Sequence, residues 1–369
     1  MAGKTVTTIT ELVNVLQDQD YWTNDAGTIT VAPPNGVLDF NDEGYFYKQT
    51  PFLVFPVPFP TVSDLVTTIK DVTVDFNNTK LTNMYLYPGN TFMQMNTGHA
   101  AASTVDNTYT FLNGEFEAVL NDAAFLNFRN SLKYSNHENY ARSTLIFKNC
   151  IFNIKVTNSN CINIFNINCG RSYFINCVFN IEYVNMTRDD SHGTGNTLIY
   201  NYSHTNHANQ DYSRHYILSC EFRIRFRKGT LPGMSLDGTN NYAKYYIFRF
   251  ANEMYKEVSD NVVFANKYFT DSVYVGITHS ASNTLTGNTK YTNNFAASFG
   301  SDEFNTKESL TIGNFLVGSS IGGTQLFYDN DKCSYLDYAT NTTKVGLPTA
   351  DCKDAEKLIE AGYIFASES

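Results

Sequence analysis

The chain is predicted to be an all-β solenoid, in which short parallel strands stack turn upon turn. Three observations lead there. One line of sequence recurs: Phe147-Lys148-Asn149-Cys150-Ile151-Phe152-Asn153-Ile154, then Phe174-Ile175-Asn176-Cys177-Val178-Phe179-Asn180-Ile181, then Ile217-Leu218-Ser219-Cys220-Glu221-Phe222-Arg223-Ile224. Registered on the cysteine, Cys150, Cys177 and Cys220 coincide, as do Phe152, Phe179 and Phe222, and Ile154, Ile181 and Ile224. The cysteines lie 27 and then 43 residues apart, the spacing of solenoid repeats with loops added to some turns. Composition agrees: 15% of the 369 residues are aromatic and only 17% are charged. The abundant Asn and Thr suit turns and outward strand positions, and Tyr, Phe and Val suit strands.

Side chains alternate along a strand, so each copy is expected to turn its Cys, Phe and Ile inward. Asn149, Ile151 and Asn153, with their equivalents, would then face outward. A second strand recurs beside the first. Asn160-Cys161-Ile162-Asn163-Ile164-Phe165-Asn166 resembles Asn196-Thr197-Leu198-Ile199-Tyr200-Asn201-Tyr202, with Tyr245 to Phe250 as the next copy.

In chain order, residues 9–18 have helical spacing, with Thr10 as N-cap and Leu12, Val13 and Leu16 as an apolar stripe. Thr28 to Val31 alternates as a strand and stops at Pro33-Pro34. The helix is placed to cover the open end of the first turn. Pro51 to Pro60 is apolar but broken by prolines. It is expected to be an extended segment on the surface or at a subunit contact, not a central strand. Ile69 to Phe76 alternates and opens the turns proper. Tyr85 to Asn90 ends a strand in a Pro-Gly turn, and Thr110 to Phe128 holds two more strands.

Residues 183–196, 203–214 and 228–243 are the added lengths, the first and third at the same turn of successive repeats and so a ridge. Later strands fall at Val262 to Phe264, Ser272 to Val275, Tyr291 to Phe299 and Leu310 to Val317. Thr349 caps a final helix whose apolar side is Leu358 and Ile359 and which ends at Gly362. The expected organisation is an N-terminal cap and attachment region over 1–68, the solenoid over 69–325 and a closing segment over 326–369.

The formal net charge of -10 argues against general nucleic-acid binding. No stretch has the ~20 apolar residues of a membrane span, and no apolar leader follows Met1. Synthesis and folding in a cytosol are expected, which leaves open release in a particle. Seven cysteines without a CxxC do not make a disulfide framework or a zinc knuckle. The three aligned ones are read as small buried hydrophobes with free thiols.

The opening helix and strand, the cysteine repeats and the tail, Phe327-Tyr328-Asp329-Asn330-Asp331-Lys332 followed by Gly346 to Phe365, together resemble the pectin-lyase-like right-handed β-helix superfamily. The tail also resembles the endings of β-helical surface and phage proteins. The resemblance implies a right-handed parallel β-helix with a short N-terminal capping helix and a C-terminal helical cap. That superfamily includes sugar lyases and hydrolases, adhesins and trimeric phage fibres, so the fold does not choose among them.

Candidate chemistry is sparse. Asp189, Asp190 and His192 offer the residue types of a galacturonan hydrolase. They sit together in one loop, whereas such hydrolases draw their groups from successive turns. Arg223, Arg225, Arg227 and Lys228 form a basic stripe alternating with Phe222, Ile224 and Phe226. It could meet an anionic glycan, meet an acidic partner, or pair with carboxylates on neighbouring turns. His204, His207 and His215 are close in sequence and have the chemistry of zinc or nickel ligands. A polar loop with scattered histidines is the simpler and preferred account of them.

No cofactor is expected. The sequence points to a structural virion protein of a tailed phage. That protein would be a homotrimer contacting other virion proteins and host surface polysaccharide. A polysaccharide depolymerase and a bacterial adhesin are the alternatives.

Overall fold

The computed structural model describes residues 3–18, 20–25, 27–41, 53–54, 71–97, 108–130, 144–157, 163–168, 171–184, 196–201, 213–227, 245–250, 259–264, 266–270, 275–279, 289–292, 295–299, 306–309, 334–337 and 342–345. It is mostly β, with three parallel sheets and one α-helix. The first sheet runs Lys4–Val6, Ile29–Val31, Val72–Asp75, Thr108–Leu112, Thr144–Lys148, Arg171–Ile175, Ser213–Leu218, Ser259–Phe264 and Thr289–Thr292. The second runs Val37–Asp39, Lys80–Leu86, Glu115–Asn121, Ile151–Thr157, Val178–Val184, Glu221–Arg227, Lys267–Thr270 and Phe295–Phe299. Thr306–Ser309 joins the last of these antiparallel. The third runs Leu53–Val54, Thr91–Thr97, Ala124–Asn130, Asn163–Asn168, Asn196–Asn201, Tyr245–Phe250 and Val275–His279. From Ile29 to Phe299 the chain visits the three sheets in fixed rotation, and one rotation is called a circuit below.

The three sheets share one hydrophobic core. Phe147 of the first sheet, Phe152 of the second and Phe165 of the third are within ring contact, with centroids 5.5 Å (147–152) and 5.0 Å (152–165) apart. Along the stack, equivalent rings repeat. Phe116, Phe152, Phe179 and Phe222 are near-parallel, at centroid distances of 5.3, 4.9 and 4.7 Å. The repeat read from the sequence is this register: Phe152 opposes Phe179, which opposes Phe222, and Ile154, Ile181 and Ile224 align likewise. The second recurring strand also pairs as a repeat, with Phe165 opposite Ile199 and Ile199 opposite Phe248. Its register differs by two residues from the sequence alignment, a shift that keeps every side chain on its own side.

Each cysteine line is not one strand. Phe147 and Cys150 are both buried although three residues apart, so parity reverses between them. The reversal occurs at Asn149, where φ is +56° and the chain leaves the first sheet for the second. Asn113, Asn176 and Ser219 do the same on neighbouring circuits, with φ of 55°, 52° and 53°. Asparagine tolerates the left-handed region because its short polar side chain bonds locally. Asn149 Nδ2 donates to Asn113 Oδ1 at 3.1 Å, and Asn113 Nδ2 donates to Asp75 Oδ1 at 3.0 Å.

The residue after each bend forms a buried column. Backbone hydrogen bonds carry it through Thr79, Gly114, Cys150, Cys177 and Cys220. Asn266 occupies the equivalent place on the next circuit. Gly114 leaves room for the ring beside it, since a Cβ there would come within 2.8 Å of the Phe116 ring. Asn266 Oδ1 accepts from Cys220 N at 2.7 Å, and its Nδ2 donates to Ile217 O at 2.8 Å.

The N-terminal helix spans Ile9–Gln17 and buries Ile9, Leu12, Val15 and Leu16, with Val13 packed partly against the core. Its N-cap is Thr8 and not Thr10. Thr8 Oγ1 accepts from Glu11 N at 3.1 Å, while Thr10 lies inside the first turn. The strand Lys4–Val6 is an addition to the sequence reading. It pairs with Ile29–Val31, so the sheets include residues from Lys4 onward. Between Thr108 and Asn130 there are three strands rather than two, because each circuit crosses all three sheets. Of Pro51 to Pro60, Leu53–Val54 is described as a short strand at the edge of the third sheet, with Leu53 buried. The strand expected at Ser272 to Val275 begins at Val275. Leu310 to Val317 and the helix expected after Thr349 lie outside the described residues. Ser334–Asp337 and Thr342–Val345 form an antiparallel pair in the tail.

Candidate functional site

On the side of the second sheet away from the core, side chains line up in columns one strand apart. Lys80, Glu115, Ile151, Val178 and Glu221 share one register column. Glu117, Asn153, Asn180 and Arg223 share the next, and Val119, Lys155, Glu182 and Arg225 the one after. These groups engage one another. Lys80 Nζ lies 2.7 Å from Glu117 Oε2 and 3.6 Å from Glu115 Oε1. The hydrogen bond to Glu117 is the main reason the Lys80 ammonium titrates above its ordinary range. Asn153 Nδ2 donates to Glu115 Oε1 at 3.0 Å, and Asn180 Nδ2 donates to Asn153 Oδ1 at 2.7 Å.

The basic stripe needs correction. Arg223 is ion-paired and hydrogen-bonded with Glu221 of its own strand, two residues away on the same face. Arg225 is buried, at 1% exposure, and does not belong to an open basic surface. Alternation assigns a side chain to a side of the sheet, not to solvent, and a long aliphatic stem is readily covered. Its register partner is Glu182, and Lys155 lies beyond that, so this column alternates in charge. Arg227 closes the strand, and Lys228 lies outside the described residues.

The other two sheets carry different chemistry on their far sides. The third has the register column Gln94, Asn127, Asn166 and Tyr200. Asn166 Nδ2 donates to Asn127 Oδ1 at 3.4 Å. In the first sheet one column there runs Thr110, Ile146, Tyr173 and Tyr216, with Thr108, Thr144 and Arg171 in the column beside it, and the two tyrosine rings meet edge to face at 5.1 Å.

The histidine trio is not assembled among the described residues. His215 is fully buried in the first sheet, whereas His204 and His207 lie outside the described residues. Ser172, in register with His215 one circuit earlier, places its Oγ 2.7 Å from His215 Nδ1. Burial pushes the imidazole pKa down to about 3, so it is neutral at ordinary pH. A buried serine beside a histidine has the composition of a nucleophile and base, but both are shut off from solvent. Sequence reading missed Ser172 because a serine in a strand is unremarkable until its register partner is known.

Asp189, Asp190 and His192 lie outside the described residues. Among the described residues, no group of three His, Cys, Asp or Glu is arranged to hold a metal ion. Nor is any helix among them long and apolar enough to cross a membrane. Cys150, Cys177 and Cys220 are free, buried thiols. Desolvation is the first cause of the raised pKa of Cys150 and Cys177. Each of the three lies within reach of two backbone carbonyls, as Cys220 Sγ does at 3.3 Å from both Phe174 O and Leu218 O. Comparison with family models, with curated proteins and with solved structures finds no match for this chain.

Proposed function

We propose that this chain is a right-handed parallel β-helix acting as a structural virion protein of a tailed phage. In this reading it is a fibre, spike or appendage that assembles as a homotrimer and presents a rigid rod to neighbouring virion proteins and host surface glycans. The observation that carries the reading is the way the polar columns are satisfied. Lys80 with Glu115 and Glu117, Asn153 with Glu115 and Asn180 with Asn153 engage along the stack, and Arg223 with Glu221 within one strand, instead of converging on a cleft. Glycoside cleavage needs carboxyl groups facing each other across a substrate, whereas these carboxylates are committed to neighbouring cations and amides. Such columns, with stacked rings beneath them, suit a stiff scaffold whose work is done by its faces.

Mass spectrometry of purified phage particles tests this reading. The chain should be found there in stoichiometric amount, and its absence from particles would overturn the reading. Incubation of the purified protein with host capsule or pectin-type glycans should release no new reducing ends or unsaturated products. Release of either would make the protein a depolymerase instead. Light scattering after size exclusion should give three times the chain mass.

A further inference from the structure

The chain contains two Asn-Gly pairs, Asn35-Gly36 and Asn113-Gly114. Both stand at corners where the chain passes from the first sheet to the second. This dipeptide is chemically weak. A glycine carries no Cβ, so its backbone nitrogen can approach the side-chain carbonyl of the residue before it, and asparagine is a thermolabile residue. What holds each pair in the fold decides whether it reacts.

Asn113-Gly114 is locked. Asn113 Nδ2 donates to Asp75 Oδ1 at 3.0 Å, and its Oδ1 accepts from Asn149 Nδ2 at 3.1 Å. Its backbone N–H donates to Lys148 O at 3.0 Å, and Gly114 O accepts from Ile151 N at 2.8 Å. Gly114 is buried against the Phe116 ring. Turning the Asn113 side chain onto the Gly114 nitrogen means opening a corner of the core.

Asn35-Gly36 is open. Pro34, Asn35, Gly36 and Val37 are all exposed, and a Cβ at Gly36 would meet nothing within 4 Å. The pair lies in a four-residue turn in which Gly36 N donates to Pro33 O at 3.0 Å. Proline stands second and glycine, at φ +67°, fourth, as such turns favour. Freeing the Gly36 nitrogen breaks that surface bond. It leaves the core cluster in place, since residues 32–37 contribute nothing to it.

We propose that Asn35-Gly36 is a self-modification site, at which the folded protein slowly exchanges the Asn35 amide for a carboxylate. Solvent base takes the Gly36 amide proton, and the nitrogen attacks Asn35 Cγ. A new N–Cγ bond closes a cyclic imide, and the Cγ–Nδ2 bond breaks, the nitrogen leaving as ammonia with a proton from solvent. Water then opens the ring at either carbonyl, giving an aspartyl or isoaspartyl residue at position 35. Water is the only co-reactant, and nothing is oxidised or reduced. The product adds a negative charge to a chain whose formal net charge is already -10. In the isoaspartyl form the main chain runs through the side-chain carbons and is longer. That added length falls immediately before Val37–Asp39, the end strand of the second sheet. The first corner of the stack therefore records the age of the molecule. The inference does not depend on the virion reading.

The test follows both pairs in the full-length protein at mildly alkaline pH, natively and in urea, by peptide mass spectrometry with enzymatic isoaspartyl methylation as a second readout. In the native protein Asn35 should convert, and Asn113 should lag by at least about 100-fold, because a surface turn opens almost freely and a core corner only near global unfolding. In urea the two should convert at similar rates. Isoelectric focusing of the aged native protein should show an acidic form that is much reduced in Asn35→Gln, whose longer side chain closes the ring poorly. A native Asn35 that keeps its amide, or a native Asn113 that converts alongside it, would overturn the inference.

Discussion

Replacing Phe152 by alanine should be among the most damaging single changes in the chain. The ring is fully buried and touches Phe116 and Phe179 along the stack, and Phe125, Phe147 and Phe165 across it. Centroid distances run from 4.9 Å to Phe179 up to 5.5 Å to Phe147. Burying a phenylalanine side chain contributes about 1.5–3 kcal/mol, and favourably placed ring pairs add about 0.5–1.5 kcal/mol each, though not additively. The cavity lies between repeating strands whose register fixes their spacing, so collapse around it is limited. Phe152→Ala should therefore cost about 4–5 kcal/mol, the upper part of the range for such deletions. Phe152→Leu, which restores most of the volume, should cost under about 1.5 kcal/mol. Lys155→Ala, exposed on the same strand, should stay within about 0.5 kcal/mol of wild type. Denaturant titration followed by circular dichroism reads all three. If Phe152→Ala fell within 1 kcal/mol of Lys155→Ala, the stacked rings would not be a packed core.

Further outcomes follow from other features. Asn149, at φ +56°, should accept glycine far better than valine, with a gap of at least about 1 kcal/mol in thermal or denaturant stability; the opposite order would show that backbone conformation does not govern the bend. Alkylation near pH 8, read by peptide mass spectrometry, should leave Cys150, Cys177 and Cys220 unmodified in the native protein and modify them in urea; native labelling at any of them would contradict their burial. Thr8→Ala should lower stability by about 1 kcal/mol through loss of the helix cap, whereas Thr10→Ala should change little. Bonds from the Thr7 backbone and hydroxyl hold the Glu11 carboxyl below its ordinary range, so its contribution to this cap is present at neutral pH and fades as pH falls through that lowered value.

The register of the stack was legible in the sequence because Phe152, Phe179 and Phe222 sit at fixed distances from cysteines that align with one another. The bend before each cysteine was not. An Asn in a run of apolar residues carries no mark that says whether it continues a strand or turns it, and only the parity change from Phe147 to Cys150 reveals the corner. Lys4–Val6 was missed because three residues are too few to display a period, and their strand character comes from pairing with Ile29–Val31. The stripe from Arg223 was placed on the correct side of its sheet but misjudged in exposure. Alternation is a local rule, and cover over Arg225 is a tertiary one. His215 was grouped with His204 by proximity in sequence, yet its burial follows from its place in a strand. Ser172, its hydrogen-bond partner, is 43 residues away.

The bends at Asn113, Asn149, Asn176 and Ser219 divide the molecule's freedom unequally. On the four circuits that begin at Thr108, Thr144, Arg171 and Ser213, the first sheet is joined to the second by two residues: 113–114, 149–150, 176–177 and 219–220. From the second to the third, the joins over the same circuits are 122–123, 158–162, 185–195 and 228–244. Lengthening a connection costs only about 0.6 kcal/mol per doubling, while an insertion or deletion at the two-residue corner would throw the cysteine column and the ring stack out of register. One edge of the protein is thus a frozen seam and another is a growing margin. Lineages descending from this chain can vary what they display along that margin, and an engineer grafting a foreign peptide would choose it too, without renegotiating the core.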